Sequence, residues 1–214
     1  MREGLLSRVS FLILTGLAVG VTLHAVRYYG VALHRWFDVD PRIRSMIERN
    51  PIGALTHVLV APIALLLGPI QFSGRLRVRH PRVHRWAGRA YVASCMIGGG
   101  AGFATAFHAT GGPVAGFGFG TLAVLWIGTT LWAWRAALTR DIALHRLMMR
   151  FSYALTFGAV TLRLQIPIGF ALGYASYSAM SVWLAYTAWV RNVFAVGLYS
   201  LWRTRWHGST ALRP

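Results

Sequence analysis

The chain of 214 residues has no lysine, a single cysteine and five carboxylates, Glu3, Asp38, Asp40, Glu48 and Asp141. Each shortage excludes something. With Cys95 alone there is no disulfide framework and no cysteine-ligated zinc site. Five carboxylates do not make an acid-rich catalytic cleft, and none falls inside an apolar run, where a proton-coupled transporter would keep one. No serine stands in a nucleophile elbow, and Asp141 is the only acid near a histidine, so nucleophilic catalysis has little support. Charged residues make up 13% of the chain, against roughly 25% in soluble domains.

What is abundant is apolar sequence, 56% of all residues, and arginine. All 22 basic residues are arginine, and the net charge is +17. In a soluble protein that balance would indicate nucleic acid. Here the arginines fall between long apolar runs, so the expected partner is a lipid bilayer and no nucleic acid.

A span needs about 20 apolar residues to cross roughly 30 Å of hydrocarbon. Six stretches qualify, at about 9–29, 52–72, 87–109, 114–134, 147–171 and 179–201. The fold class they predict is all-α: a polytopic membrane protein of six transmembrane helices with a four-helix core (spans 2–5), one integral-membrane domain over 1–214. Positive charge is retained in the cytoplasm when loops are short. Fifteen arginines lie on one side, in the two termini and in the loops after spans 2 and 4. The other side has Arg27, Arg35, Arg42, Arg44 and Arg49, offset in part by Asp38, Asp40 and Glu48. Both termini are therefore expected in the cytoplasm, in a multi-pass protein of the inner (cytoplasmic) membrane.

Trp86, Trp132, Trp134, Trp202 and Trp206 fall at predicted cytoplasmic span ends, the headgroup level that amphipathic rings favour. Trp126, Trp183 and Trp189 do not, and are expected to pack between helices. The first run resembles a signal peptide, but it extends to Tyr29 without a convincing small-residue cleavage site, and a retained helix is expected. Between spans 1 and 2, Asp40-Pro41 is a helix start and Asn50-Pro51 a stop. Ile43, Met46 and Ile47 share one face of that short helix, which would lie either on the outer leaflet or over the bundle end.

Ionisable groups within a membrane are costly and point to function. Of eight histidines, His34, His80 and His207 fall in loops or tails, and five lie near span ends. His84 and His145 open spans 3 and 5 inside the same pattern, H-R-x-x-x-R followed by aromatics: His84-Arg85 to Arg89 and Tyr91, and His145-Arg146 to Arg150 and Phe151. The two arginines of each motif stack on one helix face. At the other level are His24, His57 and His108. His84 and His108 are 24 residues apart, about 36 Å along one helix, so the chain offers two centres, one per leaflet.

Paired histidines from neighbouring helices suit a b-type haem, whose iron takes two axial imidazoles. His84 with His145, and His57 with His108 or His24, are the candidate ligands; Arg85, Arg89, Arg146 and Arg150 suit the propionates. Gly98, Gly99, Gly100 and Gly102, with Gly116, Gly118 and Gly120, would either admit a flat macrocycle or let helices approach closely. Two further arginines lie deep, Arg163 in span 5 and Arg191 midway along span 6, with no acid inside any span to pair with them. Their expected partners are backbone carbonyls, Gln165, tyrosine hydroxyls, or an anionic cofactor, lipid or quinone head.

The runs His57 to Phe72, His80 to Val92, and His145 through Ser152-Tyr153-Ala154-Leu155-Thr156-Phe157 to Arg163 closely resemble the bacterial family of membrane proteins known as domain of unknown function 2306. The likeness covers about 55–170, spans 2 to 5, with spans 1 and 6 looking like additions. It implies that His57, His84, Arg85, Arg89, His145, Arg146, Arg150 and Arg163 belong to the family pattern, and it assigns no activity. The layout is also similar to that of two-haem cytochromes of the b561 type, which place ligands on spans 2 and 4 for one haem and 3 and 5 for the other. His84 and His145 match that layout, whereas span 4 has no histidine.

The leading expectation is electron transfer through one or two haem b groups, the first held by His84 and His145 with Arg85, Arg89, Arg146 and Arg150 at its propionates, making the protein, if an enzyme at all, a haem-dependent membrane oxidoreductase or electron carrier with a quinone as a candidate exchange partner. The alternatives are a non-enzymatic membrane subunit that binds lipid, a larger complex or its own copies, and an anionic-solute carrier using Arg163 and Arg191 in a polar cavity between spans 5 and 6.

Overall fold

The structure is a computed structural model and describes residues 2–25 and 41–208, which are helical with no strand among them. Arg27, Tyr29, His34, Arg35, Asp38, Asp40 and Arg213 lie outside them. The helices are α1 (Arg2–Ala25), α2 (Pro41–Arg49), α3 (Pro51–Phe72), α4 (Gly74–Arg79), α5 (Pro81–Ala106), α6 (Gly112–Leu138), α7 (Ile142–Thr156), α8 (Gly158–Ala171) and α9 (Tyr177–Gly208). Proline opens α2, α3 and α5, where its missing N–H has no helical partner to lose. Side-chain caps set other starts: Asn50 accepts from the Gly53 N–H at 3.1 Å, Ser73 from Leu76 at 3.2 Å and Asp141 from Leu144 at 2.9 Å.

Among the described residues three segments are long and apolar enough to cross a membrane: Pro51–Phe72, Gly112–Leu138 and Ile142–Ala171. The apolar part of α1, Phe11–Ala25, is shorter. α3, α5, α6 and α7 form the four-helix core, with α3 reaching back to α7. α1 lies against α3 and touches α8, and α9 packs on α6, α7 and α8. Trp86, Trp132 and Trp202 are exposed on the bundle, while Trp126 and Trp189 are buried in it as expected.

The fifth apolar run is not one continuous helix. It breaks at Phe157 between α7 and α8. A side chain from another helix holds the break: Asn192 on α9 donates through Nδ2 to the Ala154 carbonyl at 3.2 Å and to Thr161 Oγ1 at 2.9 Å. The short helix α2 forms over the expected residues, and its orientation favours the bundle end. Ile47 is buried with Ala25 and Ala54, so at this residue the helix meets protein; the side chains of Ile43 and Met46 lie outside the described residues.

A chain of buried hydroxyls ties the core together. Thr130 Oγ1 is 2.7 Å from Ser152 Oγ, which is 2.8 Å from the Tyr91 hydroxyl, itself 2.9 Å from Thr156 Oγ1. Trp126 Nε1 donates to Thr156 Oγ1 at 2.8 Å. With one proton per hydroxyl, the chain can run from Thr130 to Thr156 and end on the Ser152 carbonyl, or run in reverse and end on the Trp126 carbonyl. Either direction satisfies every group.

Thr156→Val and Tyr91→Phe should therefore differ. The valine leaves the Trp126 N–H buried without an acceptor, costing about 2 kcal/mol. The phenylalanine leaves Ser152 with Thr130, and Thr156 with Trp126 and a carbonyl, costing about 0.6 kcal/mol, the usual worth of a hydrogen bond between membrane helices. Unfolding in detergent measures both; equal losses would show that the chain is not organised this way.

Candidate functional site

Several polar side chains border a partly open cavity of about 720 Å³ between the helices. That size lies within the roughly 300–1,000 Å³ of small-molecule and cofactor sites. It is bounded by residues of α1, α3, α5, α6, α7, α8 and α9, and most of its wall is apolar. The polar exceptions include His24 from α1, His57 from α3, Thr105 from α5, Arg163 from α8 and Tyr177 from α9.

His57 is held in one tautomer. Its Nδ1 lies 2.8 Å from the Gly98 carbonyl, which can only accept, so Nδ1 carries the proton and the neutral ring keeps its lone pair on Nε2. Metal-ligating histidines are commonly oriented by such a Nδ1–H bond to a carbonyl. Glycine at two positions of α5 makes the arrangement possible. A Cβ on Gly98 would stand 3.3 Å from the Ala61 nitrogen, and a Cβ on Gly102 would stand 2.7 Å from His57 Nδ1. Arg163 donates from Nη1 to the Ala159 carbonyl one turn earlier, at 3.0 Å, while its side chain borders the cavity.

Of the three histidines expected at this level, the structure brings His24 and His57 to one cavity. His108, in the turn after α5, does not line it, and its Nδ1 is buried with no hydrogen-bond partner among the described residues. The glycines divide similarly. Gly99 and Gly102 border the cavity, Gly98 and Gly118 allow close helix approach, and Gly100 faces open space.

At the opposite end, His84 and His145 are neighbours. Burial first, then the charges of Arg77 and His145, push the His84 imidazole below its ordinary pKa. His145 donates from Nδ1 to the Ala133 carbonyl at 2.9 Å, so that in its neutral form the lone pair is on Nε2. His84 has the opposite tautomer. With the Gln71 amide oriented to satisfy both of its ends, its nitrogen donates to His84 Nδ1 at 3.2 Å and its oxygen accepts from the Gly88 N–H at 3.2 Å. The proton of a neutral His84 then sits on Nε2, and ligation through that atom requires Gln71 to turn. Nothing in the sequence pairs Gln71 with His84, because the contact joins the end of α3 to the start of α5.

The motif arginines stay at this mouth. Arg85, Arg89 and Arg146 are exposed, Arg89 stacking on the Trp86 ring at 4.8 Å, and half-buried Arg150 lies over Tyr199 at 5.7 Å. The two deep arginines part company: Arg163 faces the cavity, whereas Arg191 is exposed on the outside of α9. Gln165, expected as an arginine partner, instead pairs with Thr187, accepting its hydroxyl at 2.7 Å.

Among the described residues no three His, Cys, Asp or Glu side chains cluster as a metal ion would require. A bis-imidazole haem would need two donors, an apolar slot and cations for its acid edge; of these residue types, His57, His24 and Arg163 border the one cavity.

No similar protein was found among curated proteins or among solved structures. A family match does exist, and it runs over residues 54–200, past the expected limit near 170 and through most of α9. α9 is thus part of the common architecture and not an addition. Covering well over half of the chain, the match shows that the protein belongs to the family of predicted membrane proteins known as DUF2306.

Proposed function

We propose that the protein spans the membrane six times with both termini in the cytoplasm, and that it is an electron-transfer protein binding haem b in the central cavity. The observation that carries this reading is His57, an imidazole with its Nδ1–H fixed on the Gly98 carbonyl and its ring seated in the space Gly102 leaves beside that cavity. His57, through Nε2, and His24, which borders the same cavity, are the residues that would hold the iron. Arg163 borders the cavity as a cation for a carboxylate edge, and most of the wall is apolar. Bound haem would supply a one-electron couple. His145 holds the same ligand-ready tautomer at the cytoplasmic mouth, where a second group would also need His84 released from Gln71.

The carrier reading has less support, since it needs Arg163 and Arg191 in one polar cavity and they face different ways. The subunit reading gains from the exposure of Arg191.

The test is the visible spectrum of protein expressed with haem supplied and purified in mild detergent, oxidised and then dithionite-reduced. Wild type is expected to show a Soret band and a positive pyridine haemochrome assay. His57→Ala should lose most of both, and His84→Ala should retain them. A colourless wild type refutes haem binding, and loss in His84→Ala without loss in His57→Ala refutes the central cavity as its site.

A further inference from the structure

We propose that the outer face of α9 docks a membrane-spanning helix of another protein, one carrying an aspartate or glutamate midway along its apolar run to pair with Arg191. The inference rests on the six-span topology proposed above and does not depend on haem.

α9 has two faces. Met180, Leu184, Ala185, Ala188 and Trp189 are buried against the bundle. On the other side Val190, Phe194, Leu198 and Leu201 form an exposed stripe at three- and four-residue spacing, with Phe194 and Leu201 each 66% exposed. Arg191 lies on this stripe, also exposed, and no hydrogen bond or ion pair joins it to another described residue. Ala195, one turn on, is small enough for a second helix to approach closely.

The depth of Arg191 restricts what can neutralise it. Its neighbour Asn192 bonds to Ala154 and Thr161, which flank the break in the middle of the Ile142–Ala171 segment. Along α9, Arg191 is about 21 Å from Tyr177 and about 15 Å from Leu201 at about 1.5 Å per residue. A guanidinium so placed is in the hydrocarbon, away from phosphate headgroups, where an uncompensated charge is expensive. A second copy of the chain does not help. Its five acids all lie outside the apolar runs, and a symmetric contact would set two arginines together. Charge complementarity therefore calls for a carboxylate at mid-depth on a different polypeptide.

The experiment uses the full chain, acceptor-labelled, in phosphatidylcholine vesicles. It is titrated with a donor-labelled polyleucine transmembrane peptide carrying either one central glutamate or leucine throughout. Energy transfer should show at least tenfold tighter association of the glutamate peptide, a preference that Arg191→Leu abolishes and Arg191→Lys keeps. Equal binding of the two peptides overturns the proposal, as does a preference that survives Arg191→Leu. If added phosphatidylglycerol abolishes the preference, an anionic lipid is the occupant and the helix proposal fails. Self-association of wild type lost in Arg191→Leu would also overturn it, assigning the face to a second copy. A spin label on Ala195→Cys, with Cys95 buried and shielded from labelling, reports depth separately. A label at headgroup level refutes the topology and the proposal together, whereas a mid-depth label without glutamate preference refutes the partner alone.

Discussion

Gly68→Ala is expected to destabilise the protein by about 3 kcal/mol, the upper end of what overpacking costs. Gly68 is buried on α3, and a Cβ there would sit inside the ring of Tyr153 on α7. The ring has little freedom to yield. Its hydroxyl donates to the Leu65 carbonyl at 3.3 Å, and it packs against Phe72 at 5.5 Å and Phe157 at 6.1 Å. Any rotation gives up these contacts at the point where α3 closes back on α7. Gly128→Ala on α6 is the matched control, because a Cβ there meets nothing within 4 Å. It should be neutral or stabilising by up to about 1 kcal/mol through backbone entropy. Unfolding of both variants in one detergent separates the two outcomes; similar stability would show that the notch on α3 does not determine the packing.

The second large effect is on the cavity. On the proposed haem site, Gly102→Ala should lower the haem bound at least tenfold, which corresponds to about 1.4 kcal/mol. A methyl at that position would stand 2.7 Å from His57 Nδ1 and 3.0 Å from Cε1. The imidazole must swing away, losing the Gly98 carbonyl that sets its tautomer. Gly100→Ala, two residues earlier on the same helix, adds its methyl in open space and should leave haem binding unchanged. Melting temperatures of the two variants should stay close together, so that lost absorbance reports the site and not the fold. Equal haem retention by the two variants would remove the role assigned to His57.

Much of the architecture is written in local chemistry. The apolar runs, the prolines at 41, 51 and 81, and the caps at Asn50, Ser73 and Asp141 each act within a few residues of themselves, so the helix starts are legible from the chain alone. The break at Phe157 is not legible. It is stabilised by Asn192, 38 residues from the Ala154 carbonyl it serves. The buried hydroxyl chain is hidden for the same reason, since Tyr91, Thr130 and Ser152 come from three helices.

The candidate site divides along that line. Counting residues from a span end yields depth, because rise per residue is nearly constant, and depth sorted the histidines into two levels and marked Arg163 and Arg191 as deep. Counting does not yield rotation, the direction each side chain faces once helices pack. Ridge-into-groove packing sets that angle through contacts between distant residues. The sequence by itself determined that this is an arginine-rich helical membrane protein with histidines near both ends of its core. Only the tertiary structure decided that His57 and His24 share a cavity while His108 stands outside it, that Gln71 engages His84, and that Arg163 faces inward while Arg191 faces out.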